Sequence, residues 1–307
     1  MKMLNIAKAR SYDVNSIMSE TTAFWTFLLC ILLSVALGGV RANAQDVERQ
    51  AGETLQLDLA GVPTPFHWAP AGKFIMGSPE TEADRYSDEV QHEVTFTRGF
   101  WIAETETTQE LWTAITGENP SRHTGSNQLP VEQVSWDDCC AFIETLNREY
   151  AKDLPNGYKF ALPTEAQWEY ACRAGTTTPY NFGESLNGDK ANCDGESPYG
   201  TDVKGKRLDH SAPVRSYPPN AWGLYDMHGN VWEWTADRFG YDYYQSDDAK
   251  IDPLGSTSGG NRIFRGGSWL YDARSCRSAY RERNLPTYRG YNHGFRLAIV
   301  DSSQETR

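Results

Sequence analysis

The chain lacks an excess of basic charge, a dense cysteine framework and the short motifs that mark the common catalytic chemistries. Its 307 residues carry 29 Lys and Arg against 41 Asp and Glu, a formal net charge of −12. A surface of that sign repels a phosphate backbone, which excludes nucleic acid as the expected partner. Six cysteines are too few for a disulfide scaffold in a chain of this length. The sequence has no Gly-x-Ser-x-Gly elbow, no His-Glu-x-x-His, no Cys-x-x-Cys and no phosphate loop ending in Gly-Lys-Ser/Thr. The usual serine-hydrolase, zinc-protease, dithiol and P-loop chemistries therefore fall away. The six histidines stand without ligand spacing, and no internal repeat is present. The glycine-rich stretch GGNRIFRGGS lacks the strand-turn-helix frame of a dinucleotide site.

What is present begins with an export signal. Residues 23–40 (AFWTFLLCILLSVALGGV) form an uncharged apolar run, followed by Ala42-Asn43-Ala44, the small-x-small pattern of a signal-peptidase site. Residues 1–44 read as a signal peptide, which makes the mature chain secreted or periplasmic. The rival reading is a retained anchor, because the run approaches the length of a spanning helix and the basic residues Lys2, Lys8 and Arg10 lie far upstream. A start at Met18 would leave the leader with no basic residue before the run. Residues 1–44 carry four basic and two acidic side chains, so cleavage moves the net charge from −12 to −14. Cys139, Cys140, Cys172, Cys193 and Cys276 remain, an odd number that leaves at least one thiol unpaired in a monomer.

Residues 45–65 are polar and read as a linker, with a folded domain over 66–300 and a polar tail over 301–307. Short apolar runs broken by Gly and Pro in FHWAPAGKFIMGS and HEVTFTRGFWI predict strands of a small sheet. Three helices have readable starts. Thr107 or Thr108 caps TQELWTAIT, Ser135 with Asp138 opens SWDDCCAFIETLNREY, and Thr164 with Gln167 opens TEAQWEYACRAG, which Gly175 closes. Beyond Gly175 the chain is rich in Gly, Pro, Asn, Asp and aromatic residues, which predicts aromatic side chains buried from loops. Residues 241–252 (YDYYQSDDAKID) read as a solvated loop. Cys139 and Cys140 point about 100° apart on their helix and read as packing residues.

Several longer segments stand in a fixed order: APAGKFIMGS, LPVEQVSWDDCCAF, LPTEAQWEYACRAG, PPNAWGLYDMHGNVWEWTAD, FRGGSWLYDARSCRSAYR and HGFRLA. Together they resemble the formylglycine-generating (sulfatase-modifying factor) family over residues 66–300. The resemblance implies a compact α+β domain related to C-type lectin folds, low in regular secondary structure and often holding calcium. It implies the fold more firmly than the activity.

Within GLYDMHGNVWEW, Asp226 and Glu233 flank a tight turn at His228-Gly229-Asn230, so two carboxylates and the intervening carbonyls can converge. Hard oxygen donors of this kind suit Ca²⁺. The family positions that match are the side chains of Asp226 and Glu233 and the carbonyls of Gly229 and Val231. The alternative is that the carboxylates accept from the turn's own N–H groups. A second family calcium site matches at Asn192 and the Cys193 carbonyl, but Lys206 stands where an acidic residue is expected.

Active relatives place two cysteines five residues apart after the Gly-Gly-Ser turn and bind Cu(I) between them, as suits a soft ion and two thiolates. Here Cys276 matches the second cysteine and Tyr271 the first. A phenol, with a pKa near ~10 and a hard oxygen, is a poor substitute for a thiolate. Copper is thus expected only if the chain is catalytically active. Ser268 matches the family serine beside the copper, and reads either as a substrate contact or as a turn serine. Cys276 reads either as a buried small hydrophobe or as a thiol activated by Arg274 and Arg277. Cys172 reads as a free core thiol, since the partner position of some relatives is Leu297.

Two functions follow as expectations. One is a divergent, exported member that binds a protein, peptide or glycan. The other is a copper- and O₂-dependent oxidase converting a sulfatase cysteine to Cα-formylglycine with Cys276 as a metal ligand, of which one variant has Cys276, the substrate thiol and His293 share the metal.

Overall fold

The structure is a computed structural model and describes residues 49–303. The leader expected over 1–44 and the last four residues of the expected tail lie outside the described residues. No helix among the described residues is long and apolar enough to cross a membrane.

The fold starts earlier than the sequence suggests. Strand β1 (Thr54–Leu59) pairs antiparallel with β2 (Val62–Ala69), so much of the expected linker is a hairpin. Its two-residue turn is Ala60-Gly61, both at positive φ, which matches the right-handed twist of the flanking strands. The polar side chains of TLQLDL point outward while Leu57 and Leu59 are buried, the alternation of a half-buried edge strand. Counting polar residues hides that alternation.

Strands β3 (Gly72–Met76) and β4 (His92–Phe96) make a separate antiparallel pair. β5 (Phe100–Ala103), β6 (Tyr158–Ala161) and β11 (Ala298–Asp301) complete a five-stranded sheet in the order β1-β2-β5-β11-β6. β11 thereby takes Asp301 from the expected tail. The sheet is covered on both faces. Trp101, Phe160, Leu297 and Ile299 enter one core with helices α1 (Gln109–Thr116) and α2 (Trp136–Tyr150). Phe100, Ile102, Ala298 and Val300 enter a second core with α3 (Glu165–Arg173) and the β3–β4 pair. Alternate residues of one strand thus serve opposite cores.

The three helices begin where their caps predict. Thr108 accepts from Leu111 N, and Ser135 and Thr164 form complete capping boxes with Asp138 and Gln167. Helix α3 ends on Ala174 in the left-handed conformation, one residue before the glycine expected to close it.

A four-stranded sheet in the order β10-β7-β8-β9 carries the C-terminal motifs: β7 (Trp232–Arg238), β8 (Arg262–Arg265), β9 (Arg281–Asn284) and β10 (His293–Gly294). The loop expected to be solvated, 241–252, is only partly so. Tyr244 and Ala249 are buried, and the Tyr244 ring lies 4.6 Å from His92 and 4.1 Å from the Arg281 guanidinium. A third, smaller core of loop residues joins Tyr180, Leu186, Cys193, Tyr199, Ala273 and Cys276.

Candidate functional site

After β8 the chain turns at Gly266 and Gly267, both left-handed, and runs over Cys276. A Cβ on Gly267 would stand 2.4 Å from the Cys276 sulfur, so only glycine allows this approach. Ser268 follows and is fully buried. Its Oγ accepts from Asn292 Nδ2 at 2.9 Å, and Asn292 Oδ1 holds His293 Nδ1 at 2.9 Å. The serine's side-chain partner thus comes from the C-terminal segment rather than its own turn. Asn292 stands 24 positions from Ser268, beyond any local spacing pattern.

Tyr271 donates its N–H to Ser268 O at 3.0 Å and projects outward, 40% exposed, with its ring 5.3 Å from Trp232. Cys276 goes the other way. It ends a short 3-10 turn, Ala273–Cys276, capped by Asp272, and its side chain is wholly buried with Sγ 3.7 Å from Asp272 O. A hydrogen bond with the Cys193 thiol and burial push the Cys276 thiol well above its ordinary value, against a weaker opposing contact from Ser268 N–H. The arginines beside it do not activate it. Arg277 is spent on Glu82 and Glu89, and Arg274 faces Asp272 at 3.5 Å. His293 is held among the rings of Trp232, Trp234, Phe264 and Tyr288, and burial lowers it to about 3. Its packing partners differ from those of Cys276, Tyr180 and Cys193.

The donors at 271 and 276 therefore do not fit Cu(I). One is an exposed phenol, and the other is a buried thiol with its proton held on. No step through copper follows from this arrangement.

The GLYDMHGNVWEW turn is built around Asp226, Gly229 and Asn230, all at positive φ. The expected alternative, carboxylates serving the turn's own N–H groups, is not what forms. Asp226 Oδ2 accepts from Arg215 N at 2.8 Å. Glu233 takes Trp168 Nε1 at 2.7 Å and Arg296 Nε at 2.6 Å on Oε2, and Arg296 Nη2 at 2.7 Å on Oε1. The turn's Val231 N–H instead donates to Glu106 at 3.3 Å, and Asn230 Nδ2 donates to the same carboxylate at 3.0 Å. Glu106 lies 124 positions from Asn230, and no spacing in the sequence marks it.

Three buried carboxylates, Glu106, Asp226 and Glu233, thus share one neighbourhood with the buried guanidinium of Arg296. Burial first, then Asp226 and Glu233, raise Glu106 well above the carboxylate range. Burial pushes Asp226 up to about 6, with Glu233 adding to it. The negative excess fits a hard cation. Glu233 Oε2 already accepts two hydrogen bonds, so Glu233 has one acceptor position left, on Oε1. Among the described residues no three His, Cys, Asp or Glu side chains converge as a metal site, so an ion here would depend on main-chain carbonyls.

At the second expected calcium site, Asn192 Oδ1 is buried without a partner while its Nδ2 donates to His210 O and Asn230 Oδ1. Lys206 contributes its carbonyl to Gly195 N and is itself exposed. One orphaned oxygen remains of that site.

Residues 63–300 match the family model described as the sulfatase-modifying factor enzyme 1-like domain. The chain belongs to this family. Two relatives show that membership and activity separate within it. The chain is 37% identical over 183 residues to the formylglycine-generating enzyme of Streptomyces coelicolor, covering 57% of this chain and 54% of that protein. It is 33% identical over 179 residues to the mouse "Inactive C-alpha-formylglycine-generating enzyme 2", covering 56% and 49%. The chain spans about half the length of the curated relatives it matches. Among solved structures it is similar to PvdO from Pseudomonas aeruginosa, with a TM-score of 0.69, 28% identity, and 82% of this chain and 99% of that one covered. The sulfatase-modifying-factor fold, related to C-type lectin folds, is thus this chain's α+β architecture.

Proposed function

We propose that this chain is an exported, divergent sulfatase-modifying-factor protein that binds an extracytoplasmic protein, peptide or glycan rather than oxidising a cysteine. One observation carries the reading: the position of the first copper cysteine is an outward-facing Tyr271, while Cys276 is buried with a raised pKa. The same face holds Tyr288, 39% exposed, and the half-buried Tyr291, which rests on the buried Trp269 and carries Arg122 4.9 Å over its ring. An aromatic surface with one cation suits stacking against sugar or peptide planes.

Calcium belongs to the same proposal. Asp226, the remaining lone pair of Glu233 and the carbonyls of Gly229 and Val231 would hold the ion, which would offset the excess charge of the turn and fix its shape. The second site at Asn192 and Cys193 would be weaker, with Lys206 in place of an acid.

The alternative is formylglycine formation on a sulfatase partner, supported by relatives named for that activity. Incubating the chain with Cu(I), O₂ and a Cys-x-Pro-x-Arg peptide separates the two by mass spectrometry. Binding predicts no aldehyde from the wild type. Aldehyde produced by the wild type and lost in Cys276→Ala would replace the binding reading with the oxidase.

A further inference from the structure

We infer that Cys193 and Cys276 are a built pair for a disulfide that ties the 186–199 loop to the Gly-Gly-Ser turn. The backbone brings the two segments together before either sulfur is considered. Asp194 N donates to Tyr271 O at 2.9 Å, Asp194 and Asp272 form a parallel β-bridge, and Ala273 N donates to Ser197 O at 3.1 Å. Cys193 precedes the bridged Asp194. Cys276 lies one 3-10 turn beyond Asp272, with its sulfur folded back to within 3.7 Å of the Asp272 carbonyl. Both side chains are buried in the same small core, 1% and 0% exposed. Cys172 is occupied elsewhere, beside Met227 O, His228 and Ser278, and Cys139 and Cys140 sit on α2.

The bond forms by thiol–disulfide exchange with an oxidised dithiol protein or oxidised glutathione. The thiolate of one cysteine attacks the oxidant's disulfide, and the second cysteine displaces the oxidant's remaining sulfur. Cys193 and Cys276 together lose two protons and two electrons, and the oxidant leaves as two thiols. Because both thiols are buried in the fold, out of reach of an oxidant, exchange belongs to the folding chain rather than the finished one. The cross-link also removes Cys276 from metal chemistry.

The full chain is refolded in a glutathione redox buffer, alkylated, digested without reductant and examined by mass spectrometry. The expected product is one linked peptide pair holding Cys193 and Cys276, about 2 Da lighter than its parts and separated by dithiothreitol, with Cys139, Cys140 and Cys172 alkylated. Folded, reduced protein exposed to the same buffer should form the link at least about tenfold more slowly. Reduction should lower the thermal midpoint by about 5 °C or more, and the Cys193→Ala/Cys276→Ala double variant should be insensitive to reductant. Natively folded chain with both cysteines alkylated, a pairing that includes Cys172, or copper or zinc blocking both thiols would each overturn the inference. None of these readouts depends on a ligand or on formylglycine, so the binding proposal stands or falls separately.

Discussion

Two buried charge clusters lie close in this fold and are solved differently. In the first, Glu165 and Glu169 face three guanidinium groups. Arg281 donates to both oxygens of Glu165 at 2.9 and 2.6 Å, Arg265 reaches both glutamates, and Arg173 donates to Glu169 at 2.9 Å. Nearby, Arg277 serves Glu82 and Glu89 in the same way. In the second, Glu106, Asp226 and Glu233 surround Arg296, and two of the three carboxyls are raised. Carboxylates that each hold a guanidinium are satisfied by the chain itself. Glu106 and Asp226 hold no guanidinium among the described residues, which leaves them to a proton or a cation, and the proposed calcium is placed there for that reason.

The largest expected effect comes from breaking the first cluster. Arg265→Met takes one of two guanidinium partners from each of the buried Glu165 and Glu169 and should cost about 3–5 kcal/mol in urea unfolding. A loss below about 1 kcal/mol would show that the contrast between the clusters is not energetic. Next is chelation, which in the proposed calcium-bound state removes about 2.7 kcal/mol at a hundredfold excess over Kd. An unchanged melting midpoint in chelator would leave the second cluster to protons alone. Glu106→Gln should then change the stability of the chelated protein by less than about 1 kcal/mol, because burial and the neighbouring carboxylates already hold Glu106 towards its neutral form. The same variant should respond less to added calcium, as seen by calorimetric titration.

The smallest effect tests the edge of the first cluster. Asp237 accepts from Glu165 N at 2.7 Å and is pushed up to about 7 by burial and by Glu165. An acid with a raised folded pKa contributes stability that is full below its unfolded value near 3.8 and lost as pH rises through about 7. Asp237→Asn should flatten that decline between pH 4 and 7, measured as melting midpoint against pH. A slope identical to wild type would assign the decline to other groups.

The legible parts of this molecule were local. Ser135 with Asp138 and Thr164 with Gln167 announce their helices because a capping box is complete within four residues. The β1–β2 hairpin went unread because its apolar residues alternate with polar ones, and the fate of Tyr244 because its buried partners, His92 and Arg281, lie in distant segments. At the site, Asp226, Glu233, Ser268, Tyr271 and Cys276 could be picked from motifs. Their pairing with Glu106, Asn292, Arg296 and Cys193 could not be read, since each partner arrives across a long stretch of chain.

By itself the sequence determined the family, the helix starts and the substitution of tyrosine for one copper cysteine, because these are fixed by residue identity and short spacing. Only the tertiary structure decided what each site residue touches. Arg296 rather than the turn holds Glu233, Asn292 holds Ser268, and Cys193 shares a small core with Cys276. Burial and long-range pairing set charge and reactivity, and neither is encoded in neighbouring letters.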